Sequence, residues 1–264
     1  MKDIRRGIYI IPTLFTCGNM TFGFLAMLSS MNGFFTRAAW FLICAIACDM
    51  LDGRIARMTK TSSEFGVQMD SLSDLISFGL APATIMYNLV LNTMGTTGIA
   101  VAVVFVLSSA LRLAKFNVLS QDGVAHKTFA GLPTPASAGV IISFVLSYSL
   151  LNPADALTVK TIPILMNSMP IFFKAMPVVM LCLSFLMVSN IPYWSFKTLN
   201  FSKARSFRLV VSVIVMIVLA IAYPQNILFI VFLGYALSGI LSYILRFFLR
   251  KRHPVDAKDK NNEN

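Results

Sequence analysis

Stretches of about 20 mostly apolar residues recur along nearly the whole chain, and about 20 residues is what a helix needs to cross the hydrocarbon core of a bilayer. Eight such runs are separated by turn residues, at about 10–31, 36–56, 67–91, 97–119, 132–151, 168–189, 206–223 and 226–248. The separators have sensible turn chemistry, as in Met31-Asn32-Gly33, Leu151-Asn152-Pro153 and Pro224-Gln225-Asn226. Composition agrees: 57% of the residues are hydrophobic and only 12% are charged, against roughly a quarter in a soluble domain. A soluble globular chain and a disordered one are both excluded. The expectation is an all-α integral membrane protein of about eight transmembrane helices.

An even number of spans puts both termini on one side, and the basic residues say which. Arg37, Lys160 and Lys174 fall on one side of the expected membrane, and the remaining 19 of the 22 Lys and Arg residues fall on the other. Positive residues are retained at the cytoplasmic face, so both termini are expected there. The net charge of +11 then reads as topology signal and attraction to anionic lipid headgroups, and nucleic acid is not an expected partner. No small-residue cleavage pattern follows the first span, which is therefore read as retained. Residues 1–253 are read as one transmembrane domain, and 254–264 as a polar, disordered tail. Cys17, Cys44, Cys48 and Cys182 lie in apolar runs without a paired framework or His ligands, and read as membrane core.

Against this apolar background, four of the eleven acidic residues fall within spans 2 and 3: Asp49, Asp52, Asp70 and Asp74. A carboxylate near the centre of a membrane helix costs about 2.5 to 3.5 kcal/mol on insertion scales, so four demand compensation. Asp49 and Asp52 are spaced i, i+3 and Asp70 and Asp74 i, i+4, so each pair shares a helix face. The short polar connection Met58 to Phe65 makes the two spans antiparallel, and the two faces can converge just inside the cytoplasmic end. Hard oxygen donors so clustered favour magnesium, manganese or calcium over zinc, and four carboxylates balance two divalent ions. Such a site beside lipid suits displacement at phosphorus. Gly53, Ala56 and Gly66 remove bulk where a base or diphosphate could approach the backbone, or where helices pack closely. Arg57 is either a phosphate contact or a helix-end charge.

Written out, Asp49-x2-Asp52-Gly53-x2-Ala56-Arg57-x8-Gly66-x3-Asp70-x3-Asp74 resembles the signature of the CDP-alcohol phosphatidyltransferase family at all eight fixed positions. Three further segments are similar to the branch of that family that makes phosphatidylserine. They are Arg112-Leu-Ala-Lys115-Phe116-Asn117, then Phe129-Ala-Gly131-Leu132-Pro133-Thr-Pro135-Ala-Ser-Ala-Gly139, and Val188-Ser-Asn190-Ile191-Pro192-Tyr193. The opening Pro12-Thr-Leu-Phe-Thr16-Cys-Gly18-Asn19 fits the same branch.

The resemblance implies an enzyme that transfers the phosphatidyl group of CDP-diacylglycerol to L-serine with Mg2+ or Mn2+. It sits in the plasma or inner membrane with its active site at the cytoplasmic side, among membrane lipids, as a homodimer. Asp49, Asp52 and Asp70 would bind metal, and Asp74 would be both a metal ligand and the general base. Gly53, Ala56, Arg57, Gly66 and Thr16 would bind CDP-diacylglycerol. Arg112, Lys115 and Asn117 are the candidates for serine, whose carboxylate needs a cation, although Arg112 and Lys115 also read as topology charges. Two other readings are open to such a chain. A sister enzyme would use glycerol 3-phosphate or inositol phosphate as acceptor, and a cation-coupled transporter would place its carboxylates near mid-membrane, usually with an internal repeat.

Overall fold

The computed structural model describes residues 2–59, 63–121, 129–149, 163–193, 227–239 and 241. The seventh expected span, 206–223, and the tail at 254–264 lie outside the described residues, as do Asp122, His126 and Lys127. Helix α1 runs Lys2–Met31 and α2 runs Phe35–Thr59. Gly33, at φ +80°, ends α1: its N–H donates to Ser30 O, and the Phe34 N–H reaches back to Ser29 O at 2.9 Å. That left-handed stop satisfies the last carbonyls and turns the chain so that α2 packs antiparallel along α1.

The third expected span is a continuous helical stretch with an irregularity in it. Helix α3 (Glu64–Asp74) passes into a π-helical turn, Leu75–Leu80, and on into α4 (Ala81–Leu89). Ser63 caps the N-terminus, accepting from Gly66 N at 3.0 Å. After a 3₁₀ turn at Leu91–Met94 come α5 (Thr96–Gln121), α6 (Thr134–Ser149), α7 (Pro163–Val188) and α8 (Ile227–Gly239). Among the described residues, the helices from α2 to α7 follow their apolar runs to within a few residues, while α1 begins eight residues before its run. One departure from an all-α chain is a two-residue antiparallel pair, β1 (Phe129–Ala130) with β2 (Pro192–Tyr193), which ties the segment before α6 to the segment after α7.

Residues 136–147 of α6 are all buried, so this helix is surrounded on every side, as an apolar helix without a polar face should be. Phe78, Ile85, Phe105, Ile141 and Met180 form the core around it. The outer surface is apolar as well. On α5, Ile99, Val103, Leu107 and Leu111 recur every fourth residue on the exposed face. An unbroken apolar stripe of that kind suits lipid rather than water. Two helical segments among the described residues are long and apolar enough to cross a bilayer, Pro12–Met31 and Thr96–Leu119.

Candidate active site

Four helices supply the polar side chains. The i, i+3 and i, i+4 spacings aim Asp49 and Asp52 from α2, and Asp70 and Asp74 from α3, into one volume. Oxygens of Asp49, Asp70 and Asp74 lie within 4.8 Å of one another, close enough to ligate one cation. Carboxylates this close repel one another unless a proton or a cation offsets their charge. Asp52, 4% exposed, faces the same cluster but has a partner of its own, accepting from Thr16 Oγ1 at 3.0 Å. The sequence reading joins four carboxylates at one point; the geometry gives a triad with a fourth beside it, held by a hydroxyl. This all-oxygen donor set fits a hard divalent ion.

Helix α1 forms the third wall. Asn19 is fully buried, and its Nδ2 donates to Asp74 Oδ1 at 3.4 Å, while its own Oδ1 has no partner among the described residues. Two serines lock α1 to the carboxylate helix: Ser73 Oγ donates to Thr16 O at 3.0 Å and Ser77 Oγ to Asn19 O at 2.9 Å. The π-helical turn that follows Asp74 carries Ser77 into this contact. Such turns interrupt α-helices often at functional sites.

The residues expected at the nucleotide line one groove of about 120 Å³: Thr16, Gly53, Ala56 and Gly66, with Asp52 and Asp70 at its carboxylate end. A Cβ built on Gly53 would meet nothing within 4 Å, so that glycine keeps the groove open rather than letting helices touch. On Gly66 a Cβ would come within 3.1 Å of Ser63 Oγ, the capping atom of α3. Arg57 is on α2, one turn beyond Gly53, and its side chain lies outside the described residues.

Of the three acceptor candidates on α5, only Arg112 is directed at the cluster. Its guanidinium faces Asp74 and Asp49, is anchored by Nη1 donating to Thr134 Oγ1 at 3.1 Å, and keeps a buried Nε without a partner among the described residues. Lys115 Nζ donates to Asn190 Oδ1, which joins α5 to the segment after α7. Asn117 is paired with Ser71, donating to its hydroxyl at 2.9 Å, and so braces α5 against α3. Sequence reasoning gave no role to Asn19, Ser71, Thr134 or Asn190. All four stood within or beside the quoted motifs, and their polarity in apolar runs was the available signal.

Residues 9–166 match the family model described as CDP-alcohol phosphatidyltransferase. The chain belongs to that family. It is also 33% identical over 238 residues to a CDP-diacylglycerol–serine O-phosphatidyltransferase of Helicobacter pylori, a match covering 90% of this chain and 92% of the relative. An archaetidylserine synthase of Methanothermobacter thermautotrophicus is 40% identical over 159 residues, 58% of this chain and 66% of the relative. A CDP-diacylglycerol–serine O-phosphatidyltransferase of Bacillus subtilis is 32% identical over 139 residues, 53% of this chain and 77% of the relative. The family match spans α1 to α6 and the whole carboxylate cluster. The Helicobacter match continues beyond it.

Proposed function

We propose that this chain transfers the phosphatidyl group of CDP-diacylglycerol to the hydroxyl of L-serine, giving phosphatidylserine and CMP. The observation that carries the reading is the convergence of Asp49, Asp70 and Asp74 on one point that the partly buried Arg112 also faces. The names of the relatives support the substrates. The four carboxylates match the charge of two divalent ions, Mg2+ or Mn2+, with Asp52 as the outer ligand. A divalent cation there would neutralise the diphosphate and stabilise the charge that develops on departing CMP.

The chain's own residues do the rest. Gly53, Ala56, Gly66 and Thr16 admit the cytidine diphosphate to their groove, and Arg57 holds its phosphates. Arg112 takes the carboxylate of serine and so brings the hydroxyl to Asp74. Asp74 accepts the hydroxyl proton, the serine oxygen forms its bond to the lipid-linked phosphorus, and the bond from that phosphorus to the CMP oxygen breaks. The displacement is single, without a phosphatidyl-enzyme. The reaction takes place at the cytoplasmic side of a plasma or inner membrane, in a chain that crosses it about eight times with both termini cytoplasmic. Residues 1–253 make the catalytic domain, and 254–264 a polar tail.

The test is CMP release from CDP-diacylglycerol by purified protein with Mg2+ or Mn2+. Serine, glycerol 3-phosphate, inositol phosphate and no acceptor are compared, alongside Asp70→Asn. Serine-dependent release that the variant loses is the expected result. Release with another acceptor alone would overturn the choice of serine. No release with any acceptor, from folded protein, would return the transporter reading.

A further inference from the structure

The segment before α6 and the segment after α7 are joined into a clamp that closes on α5. The β1–β2 pair sets Phe129 against Tyr193 and Ala130 against Pro192. Beyond it the backbones go on pairing, with Gly131 N donating to Ile191 O at 2.9 Å and Leu132 N to Leu186 O at 3.0 Å. Gly131 adopts φ +85°, and a Cβ there would fall 2.4 Å from Met187 O, so glycine is what lets the two segments lie this close. One residue from each arm of the clamp reaches α5. Thr134, fully buried where the β1 arm enters α6, accepts from Arg112 Nη1 at 3.1 Å. Asn190, next to Ile191 on the β2 arm, accepts from Lys115 Nζ. Arg112 and Lys115 are spaced i, i+3, so the two cations are neighbours on α5 and each is held by a different arm.

We propose that Thr134 is a positioning residue for the acceptor: the clamp delivers its hydroxyl to Arg112 and so holds the open edge of the guanidinium ready for the carboxylate of an amino acid. A guanidinium carries five N–H donors in a rigid plane. One bond from Nη1 fixes that plane when the accepting hydroxyl cannot move, and Thr134 is closed in on every side. The buried Nε then has no partner among the described residues, and an unmatched buried donor is costly unless a ligand meets it. A planar carboxylate, able to take two parallel bonds from a guanidinium, is such a ligand. A long side chain loses rotamer freedom when it binds, and a tether that has already fixed it removes that loss. Lys115 keeps its ammonium on Asn190, and so braces the second arm of the clamp against α5.

The inference rests on the proposed reaction and is tested by steady-state kinetics on the full-length membrane enzyme. Thr134→Val keeps nearly the same shape and removes the hydroxyl. It should raise KM for serine about tenfold, as expected for a lost bond to a charged group, while KM for CDP-diacylglycerol stays within about twofold. Thr134→Ser returns the hydroxyl and should bring KM for serine most of the way back. Asn190→Ala loosens the other arm and should raise KM for serine by a smaller factor, about threefold, the worth of a weaker hydrogen bond. Asn88→Ala is the structural comparison: it removes a bond to Ser30 about four helical turns from Asp74, and should lower the Tm without changing the ratio of the two KM values. An unchanged KM for serine in folded Thr134→Val overturns the inference alone, as does an equal rise of both KM values, or a Thr134→Ser no better than Thr134→Val. A wild-type enzyme without serine-dependent release would overturn the reaction and this inference with it.

Discussion

Replacing Gly23 with alanine should disable the site from a distance of more than one helical turn. Gly23 is where α1 crosses the π-helical turn: a Cβ there would stand 2.4 Å from Ser77 Oγ, 3.0 Å from Ser77 Cβ and 2.8 Å from Ser77 Cα. The hydroxyl can rotate away, but the α-carbon cannot. Since carbon atoms rest about 3.5 to 4.0 Å apart, the two backbones must separate by roughly 1 Å. Overpacking of this kind costs about 1–3 kcal/mol, and the Ser77 to Asn19 hydrogen bond, 2.9 Å now, would be lost for about another 1 kcal/mol. Alanine's better helix propensity returns at most about 1 kcal/mol. The net loss is about 1–3 kcal/mol. The same shift withdraws Asn19 from Asp74, a bond already long at 3.4 Å, and a misplacement of about 1 Å can cost on the order of 100-fold in rate. Thermal unfolding in detergent and CMP release at saturating substrates measure the two effects. A variant with wild-type Tm and wild-type kcat would show that α1 does not position the carboxylates.

Gly53→Ala makes the opposite case. Its methyl meets no atom of the protein within 4 Å and should leave the Tm unchanged or slightly raised, yet it enters the groove proposed for the nucleotide, so KM for CDP-diacylglycerol should rise several-fold with KM for serine unaffected. Asn19→Ala removes a partner of Asp74, a carboxylate proposed to bind metal, and partners of metal ligands are worth about 10- to 100-fold in metal affinity. The Mn2+ concentration for half-maximal rate should increase by that order, and direct titration of Mn2+ binding by its paramagnetic signal should show the same displacement without any turnover.

The carboxylates were legible because a charge in an apolar run is expensive and has to be explained, and helical spacing then says which charges share a face. Convergence of Asp49, Asp70 and Asp74 follows from those two facts and one short loop. Asn19 escaped because an amide costs far less to bury than a carboxylate, and its three-residue offset from Thr16 carried no charge to draw notice. The π-helical turn escaped for another reason: its six residues, Leu-Ile-Ser-Phe-Gly-Leu, have ordinary helical composition, and the widened turn is selected by what it brings together. Ser73 and Ser77 both bond to carbonyls of α1, at Thr16 and Asn19, while Gly79 lets Ser109 of α5 approach from another side.

The seat of α8 was illegible in the sequence because its contacts, Phe232 on Gly139 and Tyr193 on Ala236, join residues far apart in the chain, and no local pattern records such pairs. Those packing contacts do leave a trace, as three glycines at close approaches: Gly131 under Met187 O, Gly139 under Phe232, and Gly239 under Tyr193. Each is a position where a methyl group would push α8 or its support away from the site. Small residues in membrane helices let backbones approach closely, so the late helix is held against α6 and β2 by the same small-residue packing that holds α1 against the carboxylate helix.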